Sequence, residues 1–189
     1  MIKSPPTISR RSALAGLFTT MAVSAAPYHA NAAGFLRGAG DIRRIRMRST
    51  RTGEGLDTIY WIEGKYIPEA LAEINWFMRD WRENEAIQYD ARNVDIMAAM
   101  LNLMDTDEAY HVVSGYRSPA TNRMLARNNG GVAQNSYHMK GMAADLKLSS
   151  RSIGQMAGAA LACKAGGVGK YNRSNFVHVD CGPVRSWGS

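Results

Sequence analysis

The run Ser136-Tyr-His-Met-Lys-Gly-Met-Ala-Ala-Asp145 places an imidazole and a carboxylate seven residues apart, and Phe176-Val-His-Val-Asp180 near the C-terminus adds a second imidazole. Together His138, Asp145 and His178 offer two nitrogen donors and one oxygen donor. Three such ligands leave the fourth position of a tetrahedral zinc ion open to water, the arrangement of a catalytic rather than a structural site. The softness and number of the donors favour Zn2+ over magnesium or calcium. A single histidine is more often a hydrogen-bonded structural residue, so the joint pattern carries the metal reading. Gly141 allows a tight turn after His138, and Ala143-Ala144-Asp145-Leu146 then reads as a short strand that returns the carboxylate.

These ligands need elements to hold them. Ile45 and Met47 alternate with Arg44, Arg46 and Arg48, a period of two that predicts a strand with one basic, solvated face. Turn residues at 52–55 and the β-branched and aromatic run 58–62 complete a hairpin. Pro68 suits the first turn of a helix that buries Leu71, Ile74, Phe77, Met78 and Trp81 as a core stripe. A second helix is predicted over 93–104, its methionines filling irregular gaps in the core. Residues 111–117 read as a buried strand that leaves the core at Gly115, with His111 a core residue. Ser118 and Pro119 then open a helix over 119–127 as N-cap and first-turn proline. Arg117 falls at that strand-to-helix junction, where a guanidinium can meet a substrate carboxylate, although taken alone it reads as an ordinary surface arginine. Ser152 caps a small-residue helix over 153–164 that Gly166-Gly167 stops, and strands over 168–171 and 176–181 close the chain. Alternation puts Phe176, His178 and Asp180 on one strand face and Val177 and Val179 on the other.

The first 32 of the 189 residues read as a cleaved signal: the pair Arg10-Arg11, an uncharged Ala-rich stretch over 13–26, and the small-x-small site Ala30-Asn31-Ala32. The apolar stretch is too short to span a bilayer, and the arginine pair resembles the twin-arginine address. No cysteine stands near the cleavage site to carry a lipid anchor, so no membrane anchor is expected after cleavage. Cleavage leaves residues 33–189 as a single domain with a sizeable core, expected to be monomeric and periplasmic, or otherwise exported across the inner membrane. Losing Lys3, Arg10 and Arg11 and no acid lowers the formal net charge from +7 to +4, which weakens any nucleic-acid reading. The two cysteines, Cys163 and Cys181, fit either one disulfide in an oxidising compartment or two separate buried thiols.

The combination Ser114-Gly-Tyr-Arg-Ser-Pro119, Ser136-x-His138-x-x-Gly141-x-Ala143-x-Asp145, Gly166-Gly-Val-Gly169 and Phe176-Val-His-Val-Asp180-x-Gly-Pro-x-Arg185-x-Trp187 resembles a known group. It is similar to the twin-arginine-exported branch of the zinc D-Ala-D-Ala carboxypeptidase-like proteins, a murein peptidase clan that also includes the hedgehog domain. The resemblance covers nearly all of residues 33–189. It implies an α+β fold with helices packed on a small, mainly antiparallel sheet, and a zinc held by His138, Asp145 and His178. Clan members keep a general-base acid three residues before the last histidine ligand, and here that position is Asn175. Asp180, two residues after His178 on the same strand face, is the candidate base, with an orienting role toward His178 or Arg185 as the equal alternative.

The expected function is an exported zinc metallopeptidase that cuts peptidoglycan stem peptides or cross-links, with a zinc-bound water as nucleophile and Arg117 on a substrate carboxylate. The alternative is a non-catalytic zinc-containing module that binds murein or an envelope partner. Tyr137 is expected to line the cleft, and Ser136 to bond either substrate or its own loop.

Overall fold

The computed structural model describes residues 41–128 and 131–188, so the expected signal segment 1–32 and the Gly-rich lead-in 34–40 lie outside the described residues. Strands β1 (Ile42–Ser49) and β2 (Gly55–Ile62) pair antiparallel across a turn in which Ser49 Oγ accepts from the N–H groups of Arg51 and Thr52. Ile45 and Met47 point into the core as their alternation predicts. On the solvated face Arg44 pairs with Asp57, and Arg46 with Asp57 and Asp107. The basic stripe is therefore largely neutralised within the strand's own surroundings. A two-residue β3 (Lys65–Tyr66) extends this edge.

Helix α1 (Pro68–Phe77) opens on its proline and buries Ala70 and Ile74. It ends before Trp81, which is 41% exposed and belongs to no core stripe. The chain turns there because the buried Asp80 carboxylate accepts from the backbone N–H groups of Arg82 and Ser118, which a continued helix could not allow. Helix α2 (Ala91–Leu103) begins two residues earlier than its apolar pattern, because Asp90 caps it through the N–H of Arg92. Strand β4 (Tyr110–Ser114) buries Tyr110 and Val112, but His111 faces outward to Ser149 Oγ at 3.2 Å and is no core residue. The alternation of a one-sided strand explains that difference.

Helix α3 (Pro119–Asn128) starts where Ser118 Oγ accepts from the N–H of Thr121. After the short 3-10 turn Tyr137–Lys140 come β5 (Ala143–Lys147), α4 (Ile153–Cys163), β6 (Gly167–Tyr171), β7 (Phe176–Asp180) and β8 (Arg185–Gly188). The Ser152–Gln155 capping box opens α4, and Lys164 stops it in the left-handed region at φ 50°, which leaves Gly167 free to begin β6.

Among the described residues the strands form one eight-stranded sheet in the order β3-β2-β1-β4-β5-β7-β6-β8, antiparallel except for the β1/β4 and β6/β8 pairs. The α+β class and the mainly antiparallel sheet are as expected, and the sheet is wider than a small one because β3 and β8 lengthen its edges. Helices α2 and α4 pack on each other and on β1, β6 and β7. Ile45, Met47, Ala144, Leu146, Val168, Val177 and Val179 make the apolar face beneath them. The residues of opposite parity, Asp145, His178 and Asp180 among them, lie on the other face. Cys163 and Cys181 are separate buried thiols that donate to Ala159 O and Met142 O, and burial pushes them up to about 11 and about 12 respectively.

Among the described residues, no helix is long and apolar enough to cross a membrane.

Candidate metal centre

Ser136 opens the 3-10 turn by accepting from the N–H of His138, the expected bond to its own loop, and Gly141 closes the turn at φ 62°. A Cβ at Gly141 would sit 3.0 Å from Ile87 and 3.1 Å from the Gln88 carbonyl, so both its conformation and its surroundings require glycine. The strand that follows sets Asp145 directly opposite His178 across β5 and β7, with both side chains on one face. The turn delivers His138 to the same point.

His138 Nε2 lies 3.2 Å from Asp145 Oδ1 and 3.2 Å from His178 Nδ1, and His178 Nδ1 lies 2.9 Å from Asp145 Oδ1. The outer nitrogens fix the tautomers. His138 Nδ1 faces the Gly115 carbonyl at 2.6 Å, and a carbonyl only accepts, so that nitrogen carries the proton. His178 Nε2 faces Asp180 Oδ2 at 3.0 Å and carries its proton likewise. Nε2 of His138, Nδ1 of His178 and Oδ1 of Asp145 therefore turn lone pairs toward one point, a repulsive arrangement that a cation relieves. Around a tetrahedral zinc with bonds of about 2.0–2.1 Å, neighbouring donors stand roughly 3.3 Å apart. The three observed spacings match that figure to within a few tenths of an ångström, so the residues fit the ion.

All three side chains are buried. Burial pushes the His138 imidazole below its ordinary value, against the pull of Asp145. Burial would likewise depress His178, but the Asp145 and Asp180 carboxylates on either side of the ring favour its charged form, outweigh burial and raise it. Asp145 would rise on burial, yet the two imidazoles hold it well below the usual carboxylate range.

The structure gives Arg117 and Asp180 partners inside the chain. Arg117, the candidate for a substrate carboxylate, donates from one nitrogen to Asp145 Oδ2 at 2.5 Å and from its Nε to Ser114 Oγ at 2.8 Å. It fixes the second oxygen of the carboxylate whose first oxygen joins the triad.

Asp180 is 1% exposed. Its Oδ2 accepts from His178 Nε2 and from Arg185 at 2.7 Å, and its Oδ1 from Gly167 N, Gly182 N and Arg185. The His178 ring stands between this carboxylate and the triad. Burial would raise Asp180, and the bonds from His178 and Arg185 keep it far below the ordinary value. Asn175 occupies a left-handed turn position between β6 and β7 at φ 54°.

Around the triad lies a cleft of about 770 Å³. Tyr137 lines it as expected, with the Arg185 guanidinium 4.9 Å from its ring centre. Trp187 packs on His178 at 5.2 Å between ring centres, and a Cβ at Gly169 would lie 2.7 Å from the indole, so a larger residue there would displace it. Arg51 and Arg82 also line the cleft. Nothing in their local sequence separates them from other surface arginines, and only the meeting of two distant loops brings them to the site.

Residues 37–187 match the family described as Peptidoglycan L,D-endopeptidase MepK. The Peptidoglycan L,D-endopeptidase MepK of Escherichia coli (strain K12) is 39% identical over 145 residues, covering 77% of this chain and 80% of the relative. A probable peptidoglycan L,D-endopeptidase MepK of Haemophilus influenzae is 36% identical over 146 residues, covering 77% and 78%. Among solved structures, the Serratia marcescens L-Ala D-Glu endopeptidase ChiX overlaps 59% of this chain and 86% of its own at a TM-score of 0.38 and 18% identity. A family match that spans nearly all of the described residues, with relatives at this level of identity, places the chain among the peptidoglycan endopeptidases of the MepK family of M15 peptidases.

Proposed function

We propose that this chain is an exported zinc metallopeptidase that hydrolyses a peptide bond between an L- and a D-configured residue in peptidoglycan. The observation that carries the reading is the convergence of three lone pairs at zinc spacing in an open cleft. The relatives' shared description as L,D-endopeptidases supports the choice of bond. It also weighs against the non-catalytic module, which has only Asn175 behind it.

Zinc bound to His138, Asp145 and His178 would supply Lewis-acid polarisation of the scissile carbonyl and a lowered pKa for the attacking water. The protein's share is positioning. Gly115 and Asp180 hold the two imidazoles in the tautomers that face the ion, and Arg117 holds the free oxygen of Asp145 away from it. Trp187 and Phe176 wall the cleft beside His178 and limit water there. Asp180 acts as a positioning residue, because both its oxygens are engaged behind the imidazole.

The test is incubation of residues 33–189, loaded with one zinc per chain, with purified peptidoglycan, followed by mass analysis of the released muropeptides. Fragments split at an L,D bond, lost with chelator and regained with zinc, are expected. A fully loaded, folded chain that releases nothing overturns the reading. Export by the twin-arginine route is tested by Arg10→Lys with Arg11→Lys, which should leave the precursor in the cytoplasm on fractionation. Unchanged export rejects that route.

A further inference from the structure

The cleft crosses the sheet. It runs from Arg51, in the turn after β1, past Ser114 on β4, Asp145 on β5 and His178 on β7, to Tyr171 at the end of β6 and Trp187 on β8. The triad lies between two ends of different chemistry. One end is aromatic: Tyr171 stacks on Phe176 at 4.6 Å between ring centres, and Trp187 Nε1 donates to the Tyr171 hydroxyl at 2.9 Å.

The other end is cationic. Among the described residues four arginines line the cleft, and two of them, Arg117 and Arg185, are already paired with Asp145 and Asp180. Among the described residues, neither Arg51 nor Arg82 pairs with a carboxylate, and both are exposed. Of the nearby acids, Glu54 binds Arg79 and Thr52, Asp80 accepts from the backbone N–H groups of Arg82 and Ser118, Glu85 accepts from Tyr116, and Glu83, next in sequence to Arg82, is exposed and forms no ion pair with it. The Arg82 guanidinium lies 4.3 Å over the Trp81 ring. Stacking on that flat ring fixes the guanidinium plane and leaves its N–H edge available. Trp81 and Arg51 line one small recess, which brings the two arginines to the same end of the cleft.

Two uncompensated guanidinium groups, one of them held rigid, match a carboxylate at close range. Resting on the reading of the cleft as a peptidoglycan peptidase site, we propose that Arg51 and Arg82 form a carboxylate-binding subsite. It takes a free carboxylate of the stem peptide on the β1 side of the scissile bond and so sets the direction in which the peptide crosses the triad. The substrate class is then the stem peptide with that carboxylate free, in preference to its amidated form.

The experiment compares a synthetic stem peptide containing the L,D bond with variants in which each free carboxylate is amidated in turn. Cleavage kinetics and equilibrium binding are measured for the zinc-loaded chain, Arg51→Gln, Arg82→Gln and the double variant. One amidated peptide should show a KM raised about tenfold or more with kcat little changed, the scale of a lost charge-assisted bond. The double variant should treat that peptide and its free form alike, with an unaltered melting temperature. A wild-type chain indifferent to every amidation, or a double variant that keeps the preference, overturns the subsite. If the wild type cleaves none of the peptides, the peptidase reading fails separately. The binding preference then decides the subsite, and no measurable binding overturns it too.

Discussion

Asp180 separates two roles that a carboxylate near a metal can play. A base must reach the attacking water, whereas a positioning group must hold a ligand. Here the carboxylate grips the far nitrogen of His178 and is itself gripped by Arg185, Gly167 and Gly182. Asp180→Asn should therefore weaken zinc affinity about 10–100-fold, the usual cost of losing such a partner, as read by competition with a chelating dye. A variant with unchanged zinc affinity and a large loss of turnover would instead return Asp180 to the role of base. Arg117→Gln should act in the same direction, because Asp145 Oδ2 loses its cationic partner. Unaltered zinc affinity with a raised KM would show that Arg117 serves the substrate.

At the scale of elements, the joint between β4 and α3 sets the site. Gly115 passes so close to the end of α1 that a Cβ there would lie 2.6 Å from the Met78 carbonyl, and its own carbonyl accepts the proton of His138. Gly115→Ala should cost about 1–3 kcal/mol in stability, as overpacking does, and also lower zinc affinity. Denaturant unfolding with and without zinc checks both, and full stability would contradict the close approach. Asp80 joins the loop after α1 to the N-terminus of α3. Burial would raise its pKa, but the Thr121 side chain and the N–H groups of Ser118 and Arg82 outweigh that and hold it below 3.8. A carboxyl depressed in the folded state contributes stability above its unfolded pKa and loses it as pH falls through the folded value. The melting temperature should thus fall below about pH 3.8 partly through Asp80, and the Asp80→Asn variant should show a flatter acid limb over that range.

For the molecule as a whole, the sheet separates an apolar, helix-covered face from the face that carries chemistry. One polar cluster interrupts the apolar side. Arg43 pairs with Asp95 at 2.7 Å, both are buried, and Tyr60 and Tyr66 donate to the same carboxylate. Asp95→Ala leaves Arg43 buried without its counter-charge, so a loss of about 3–5 kcal/mol is expected in chemical denaturation. Asp95→Ala together with Arg43→Met should recover much of that loss, and a double variant as unstable as the single would show that the pair does more than satisfy itself.

The sequence by itself determined the turn that carries His138, the strand that carries Asp145, the capped helices and the parity that sets His178 apart from Val177 and Val179. Those features are local: a cap, a turn glycine and a period of two act within a few residues of chain. Tertiary structure decided the rest, because it depends on which distant segments meet. Arg117 sits at the junction its sequence predicts, yet only the β4/β5 pairing brings it onto Asp145 in the cleft wall. Trp81 continues a helical spacing, yet the reach of Asp80 to Ser118 ends that helix first and leaves the ring exposed beneath Arg82. Pairing between strands remote in sequence also decided that Asp180 lies behind His178, and that Arg51 and Arg82, thirty-one residues apart, line one end of the cleft.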